Sequence, residues 1–456
     1  SGVMSGSGTL VKSGTGALTL SGTNTFSGGA TVSAGTVFVG DDAAFGTGAV
    51  VFSGGKVASN SGTARTLGNA LTLSGALAFG DGTNNGALTL SGNAALSAAT
   101  TLTVGSDVTM TGVLSGAYDL TKTGVAELTL SGTNTFSGAT AVNAGTLTLS
   151  GGSALDNSTA VTVNGGGTLK LASSEEIATL AGAGLVNLQG NVLTLSGSSD
   201  TVYSGVMSGS GRLVKNGSGT LTLSGTNTFS GGATLSAGSV LVGDGAAFGT
   251  GTVVFSGGKI ASDSVTARTV GNALTVSGAL GLGDGSNTGV LTLSGNAALS
   301  AATTLSVASG VTMSGALSGS YALTKAGSAE LTLSGVNTFS GPTVVNAGTL
   351  TLSGGDALAN AMAVTVNASG TLKLASSEEI ASLAGSGVVD LGTSRLTISG
   401  SSDTTYSGLI TNNNGILRKN GSSVLTLSGA NDFIGGVELM AGAIQAGNDS
   451  ALGTGT

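Results

Sequence analysis

The chain repeats itself at an offset of 203 residues, and this constrains its fold more than any other feature. The stretch SGVMSGSGTLVKSGTGALTLSGTNTFSGG at Ser1 returns as SGVMSGSGRLVKNGSGTLTLSGTNTFSGG at Ser204, and the alignment runs on without a gap. Phe136 meets Phe339, and Glu175–Glu176 meets Glu378–Glu379. A third, more divergent copy opens at Ser407, gains one residue between Asn412 and Asn414, and stops at Thr456. The sequence therefore divides into blocks 1–203 and 204–406 and a partial block 407–456. A block copied without a length change points to an open-ended array of small units, because such units bury apolar surface only by stacking on their neighbours.

Inside the blocks a shorter motif occurs five times: K-x-G, then L-T-L-S-G-x-N-x-F, then A-G. Its lysines are Lys12, Lys122, Lys215, Lys325 and Lys419, and an apolar strand starts six residues after each. Its asparagines are Asn24, Asn134, Asn227, Asn337 and Asn431, and its phenylalanines are Phe26, Phe136, Phe229, Phe339 and Phe433. A second strand follows the first by 19 residues: Leu18 leads to Val37, Leu128 to Leu147, Leu221 to Val240, Leu331 to Leu350 and Leu425 to Ile444. Leu71 to Leu88 and Leu274 to Leu291 are spaced by 17. A strand every 14 to 20 residues, separated by Gly/Ser/Asn turns, predicts the coils of a solenoid.

The strands read L-T-L, V-T-V and L-K-L. Period-two alternation puts both aliphatics on one face and the middle residue on the other. The expected fold is all-β, a parallel β-helix in which each coil completes the hydrogen bonds of the next. At roughly 20 residues per coil and about 4.8 Å between coils, the chain would form a rod on the order of 100 Å long. Glycine (83 residues) and β-branched residues argue against an α-helical solenoid. The one local helix signal, Ser173-x-x-Glu176 with its copy Ser376-x-x-Glu379, resembles a capping box and predicts no more than a short turn at a coil corner.

Composition narrows the chemistry. The chain is 40% hydrophobic with a mean hydropathy of +0.41, the reverse of a disordered sequence. It has one proline, Pro342, and no cysteine, histidine or tryptophan. Disulfides and thiolate metal sites are excluded, and the usual general base and commonest metal ligand are missing. A net charge of −8 from 14 basic and 22 acidic residues argues against nucleic acid as a partner. No signal peptide is visible at 1–20, and no apolar run is long enough for a membrane helix. Beginning without Met inside a repeat, the sequence is expected to be a fragment of a longer protein.

The recurring residues admit structural and functional readings. The motif Phe is expected to stack in the core, against the alternative of an exposed glycan platform. The motif Asn is expected at a turn, bonding its own backbone or forming an amide ladder along the solenoid. The motif Lys is expected as a solvated charge at a turn, against a basic stripe for anionic glycans. A glycosidase needs two acids about 5 to 9.5 Å apart. Glu175 and Glu176 are adjacent and should point to opposite faces, and so should Asp41 and Asp42, whose second-block counterpart is Asp244–Gly245. The loops Asp81-Gly-Thr-Asn-Asn-Gly and Asp284-Gly-Ser-Asn-Thr-Gly offer oxygens to calcium, and solvated turns explain them equally well. Outward threonines such as Thr19, Thr129 and Thr222 could order water or ice, although Thr is favoured on any exposed strand face. No catalytic, cofactor-binding or metal-binding residue, and no cofactor, is assigned.

The stretches LTLSGTNTFSGGATVSAGT at 18–36 and LTLSGTNTFSGATAVNAGT at 128–146 resemble the passenger-associated transport repeat of bacterial autotransporters, and IATLAGAGLVNLQGNVLTLSG at 177–197 resembles linking coils of such passengers. The resemblance implies a right-handed parallel β-helix (solenoid), a passenger carried to the bacterial cell surface. Its partner would be a C-terminal outer-membrane β-barrel translocator in the parent protein, which would anchor it there. A chain without cysteine suits passage through a narrow pore. The family includes adhesins, toxins, proteases and esterases, and no histidine here completes a nucleophile's triad. The expected role is an extracellular stalk, scaffold or adhesin, not an enzyme, that can self-associate into fibres or bind a surface glycan or protein. A polysaccharide-acting β-helix enzyme and an ice- or mineral-binding surface are the alternatives.

Overall fold

A computed structural model describes residues 2–455 apart from Asn413. The residue that the third copy gains thus lies outside the described residues. The chain forms two compact units, Ser1–Gly231 and Gly232–Thr456. Each is a β-solenoid in which every paired strand is parallel, with about 22 coils between them and no helix among the described residues.

In the first unit a coil has three faces. Leu10–Lys12, Ala30–Val32, Val50–Phe52 and the start of Leu71–Phe79 pair in succession on the first. Ala17–Leu20, Thr36–Val39, Lys56–Ser59 and the end of Leu71–Phe79 pair on the second. Arg65–Leu67, Leu88–Leu90, Val108–Met110 and Glu127–Leu130 pair on the third. The second unit repeats this scheme, for example Val253–Phe255 on Leu274–Leu282 and Leu291–Leu293 on Val311–Met313.

The expected pairs Leu18–Val37, Leu128–Leu147, Leu331–Leu350 and Leu425–Ile444 are register partners. Many coils are longer than the sequence spacing suggests: partners lie from 17 residues apart, at Leu169 and Val186, to 25, at Phe79 and Val104. Leu71 and Leu88 are not partners. Leu71 lies on the first face between Val50 and Ala94, and Leu88 on the third between Arg65 and Val108. Likewise Leu274 pairs with Val253 and Ala297, whereas Leu291 pairs with Arg268 and Val311. A spacing within one coil here mimics a spacing between coils.

The core follows the alternation. Leu18 is half-buried and Val37 fully buried, and Leu88, Leu128, Leu147 and Leu169 stack inward with no exposure. Where an inward slot is wide, aromatics fill it: Phe52 lies edge-on between Phe45 and Phe79, at 5.9 and 5.6 Å between ring centres. Such edge contacts are favoured by the ring quadrupole. Ala172 and Ser173 form a bend just before the strand Glu175–Ile177, so the capping-box signal marks a coil corner.

The motif copies do not line up on one face. Lys12 and Lys215 stand on the first face of their coils, and Lys122 stands on the second, opposite Leu102 and Val142. The motif is therefore a local device that works at any of these positions.

Candidate functional site

The residues that recur in the motif are turned inward and hold neighbouring coils together. Lys122 is the clearest case. The alternation in Leu120–Thr123 places it in a core slot, where it has no exposure. Its Nζ donates to the carbonyls of Thr123 (2.9 Å) and Gly124 (2.8 Å) in its own corner and to that of Ala144 (3.0 Å) one coil on. Lys325 donates in the same way to Ala326, Gly327 and Ala347 at 2.9, 2.8 and 2.9 Å. Lys12 reaches Gly14 and Ala34, Lys215 reaches Gly217 and Lys419 reaches Gly421.

This corrects the expectation of a solvated charge at a turn. The K-x-G and A-G ends of the motif meet in space: the ammonium closes the carbonyls that the two glycine corners turn inward. Gly124 and Gly145 both adopt positive φ (77° and 65°), and a Cβ on Gly145 would lie 2.4 Å from the Gly124 carbonyl oxygen. Burial pushes Lys122 and Lys325 down to about 8 and also lowers Lys215 and Lys419. A lysine enclosed in this way cannot form a basic stripe for glycans.

The motif Asn links three coils. Asn134 Oδ1 accepts from the Leu114 amide at 2.7 Å, and its Nδ2 donates to the Ala154 carbonyl at 2.7 Å. Asn337 bridges Leu317 and Ala357, Asn24 bridges Met4 and Ala44, and Asn431 bridges Ile410 and Ala451. Asn227 accepts from Met207. These side chains bond the backbone of neighbouring coils, which corrects the expectation of a self-bonded turn or a ladder of motif amides. Amide-on-amide stacking occurs elsewhere, from Asn164 to Asn143 and from Asn367 to Asn346. The motif segment carrying Asn and Phe is not a strand, so the amide does the work that a ladder hydrogen bond does elsewhere. The motif Phe residues are buried, from Phe26 at 4% exposure to Phe433 at 0%, as core stacking requires.

Sequence reasoning misses one pair of inward charges. Glu175 and Glu176 do face opposite ways, but Glu175 is only 3% exposed. Its carboxylate accepts from the amides of Ala154 (3.3 Å) and Leu155 (2.8 Å), and Glu378 does the same to Ala357 and Leu358. Burial raises both acids, Glu378 to about 7. The signal is present in E-E-I, since Glu175 shares the parity of Ile177.

The other carboxylates are engaged in turns. Asp81 Oδ2 pairs with Lys56 Nζ at 2.5 Å and its Oδ1 accepts from Thr83 and Asn84; Asp284 pairs with Lys259 and accepts from Ser286 and Asn287. The lysines hold both acids down at about 2. Asp41 caps Ala43, Asp42 accepts from Thr66 and Asp244 caps Ala246. No group of three or more acidic side chains that could hold a metal occurs among the described residues. Outside the core, Thr66, Thr89, Thr109 and Thr129 stand in register on the third face, and Thr269, Thr292, Thr312 and Thr332 repeat the column in the second unit; the next residues in line, Thr148 and Thr351, are buried and donate to Glu127 and Glu330.

Fold and site together define a parallel β-solenoid whose repeated motif staples one coil to the next by an inward Lys, Asn and Phe. The family model of the passenger-associated-transport-repeat matches residues 10–37, 120–154, 213–242, 323–352 and 417–446, and each match spans one such staple. Five of these repeats on a β-solenoid fit an autotransporter passenger domain. That family implies export to the cell surface and, in the parent protein, a C-terminal translocator barrel as partner. No curated protein and no solved structure matches the chain.

Proposed function

We propose that the chain is a non-enzymatic passenger: a β-solenoid stalk that presents an adhesive surface and self-associates into fibres, anchored to the outer membrane through the barrel of its parent protein. The observation that carries this reading is where the reactive groups lie. The motif lysines and asparagines and the buried glutamates bond backbone groups of their own and adjacent coils, and the loop aspartates Asp81 and Asp284 pair with Lys56 and Lys259 on neighbouring strands. Many outward strand positions carry Thr, Ser or Ala, beside exposed valines such as Val51 and Val202, a surface suited to lateral contact. The sequence blocks 1–203, 204–406 and 407–456 act in this reading as interchangeable lengths of stalk.

The test is to display the chain on cells through a translocator barrel and score protease accessibility, cell–cell clumping and fibre formation. Surface exposure with clumping supports the reading. Glycan cleavage by the purified chain would overturn it in favour of a polysaccharide-acting enzyme. The in-register threonine columns favour one second reading, an ice- or mineral-ordering face, and thermal hysteresis at high protein concentration is its measurement.

A further inference from the structure

Each unit contains a coil in which the first face has no strand. In the first unit residues 151–159 form a loop there, between Thr140–Leu149 and Ala160–Leu171; in the second unit residues 353–362 do so. The loop's backbone is held by side chains from the coils on either side. The Ala154 carbonyl accepts from Asn134, and the Ala154 and Leu155 amides donate to Glu175. Asn337, Ala357, Leu358 and Glu378 repeat the arrangement. An ionised carboxylate accepts both amides at once, but it does so as a buried charge without a cation. A protonated one keeps a single strong acceptor and loses the charge.

The surrounding charges do not relieve it. Asp356 lies on the loop beside Glu378 and disfavours its ionisation, and Glu379 on the same strand faces outward. Lys373, on the preceding strand, stands opposite Asp390, and the Arg395 guanidinium, one coil on, is turned to Glu438 at 3.5 Å. Around Glu175, Asp156 is engaged by Ser158, Glu176 faces outward, and Lys170 lies 3.8 Å from Glu127.

We propose that Glu175 and Glu378 are proton-operated latches: protonated, they hold the 151–159 and 353–362 loops shut, and on ionisation they release them by local opening. Burial favours the protonated acid in the shut state, whereas an opened loop gives the acid to solvent and its ordinary behaviour. Between those two limits the shut state binds more protons, so opening becomes easier as pH rises. The loop is also one wall of a shallow recess lined by Asn360, Ala361 and Ala363 against Ala381, Ser382 and Ser399–Ser402, repeated at Asn157, Ser158 and Ala160 in the first unit. Latch release therefore reshapes this surface in both units.

Hydrogen exchange of the intact chain, corrected for the intrinsic pH dependence of amide exchange, tests the proposal. Between pH 5 and pH 7.5 protection at 355–362 should fall by roughly 50-fold and then level off. Glu378→Gln should remove that slope at 355–362 and leave the slope at 151–159 in place; Glu175→Gln should do the reverse. Corrected protection that does not change with pH in the unaltered chain would overturn the proposal, whatever the variants do. An unchanged slope at 355–362 in a folded Glu378→Gln protein would also overturn it.

Discussion

Lys122 Nζ lies 3.0 Å from the Ala144 carbonyl, so the first and last elements of one repeat are joined by a single side chain across two coils. The slot that holds it is flanked in register by Leu102 and Val142, both buried aliphatics. A charge there is retained because it bonds three carbonyls at the two glycine corners.

Lys122→Met fills the slot and removes the donors. Leaving buried carbonyls unpaired outweighs the relief of desolvating one ammonium that already has good acceptors, so the variant should lose about 1–3 kcal/mol. Denaturant unfolding is the measurement, and a variant as stable as the parent would show that the three bonds contribute nothing net.

Stability should pass through a trough near pH 7–8. Glu378 is raised from 4.5 to about 7, so the native state holds more protons than the unfolded chain in that window and stability falls as pH rises through it. Lys122 and Lys325 are lowered from 10.5 to about 8, so above that value the unfolded chain holds more protons and stability climbs again. Urea midpoints at pH 5, 7.5 and 9.5 should be high, low and high. A monotonic series contradicts the assignment.

Asn134→Ala should cost about 2–5 kcal/mol, because the Leu114 amide and the Ala154 carbonyl both lose a buried partner. Asn134→Asp keeps the acceptor for the Leu114 amide and loses the donor to the Ala154 carbonyl, so it should preserve protection at Leu114 while remaining less stable than the parent. Residue-level hydrogen exchange at Leu114 is the measurement, and a loss of protection there equal to that of the Ala variant would refute the division of roles.

Phe136 is completely buried at the same corner, so Phe136→Ala should cost about 3–5 kcal/mol through the cavity it leaves. A glycan platform would instead lose binding without losing stability, and thermal unfolding of the variant distinguishes these outcomes.

Lys56→Ala should change stability at neutral pH by no more than about 1 kcal/mol, since the Lys56–Asp81 pair is partly exposed and screened. The difference from the parent should depend on pH. Asp81 sits at about 2 against an ordinary 3.8, so the stability it contributes is present above 3.8 and is lost as pH falls toward 2. The variant's deficit should therefore be present above 3.8 and fade toward pH 2, and a deficit that does not change with pH would mean that the lysine does not hold the acid down.

Much of the fold is legible in the sequence. The 19-residue steps from Leu18 to Val37 and from Leu128 to Leu147 are true register pairs, and the inward Phe follows from its size. The step from Leu71 to Leu88 misleads, because a coil has three faces and two strands of one coil can be as far apart in sequence as two strands of neighbouring coils. The lysine and glutamate mislead for another reason. Parity in L-T-K and E-E-I places Lys122 and Glu175 inward, but a charge is ordinarily assigned to solvent, and sequence alone cannot display the unpaired carbonyls or amides that reverse this.

The sequence by itself determined the solenoid and its parallel strands, because period-two alternation and a repeat of fixed length are one-dimensional properties that a stacked coil reads out directly. Only the tertiary structure decided what the motif is for. Its Lys and Asn, and the glutamate of E-E-I, act on backbone groups about 20 residues away, and which groups those are depends on where each corner interrupts the ladder and leaves a polar atom without its neighbour.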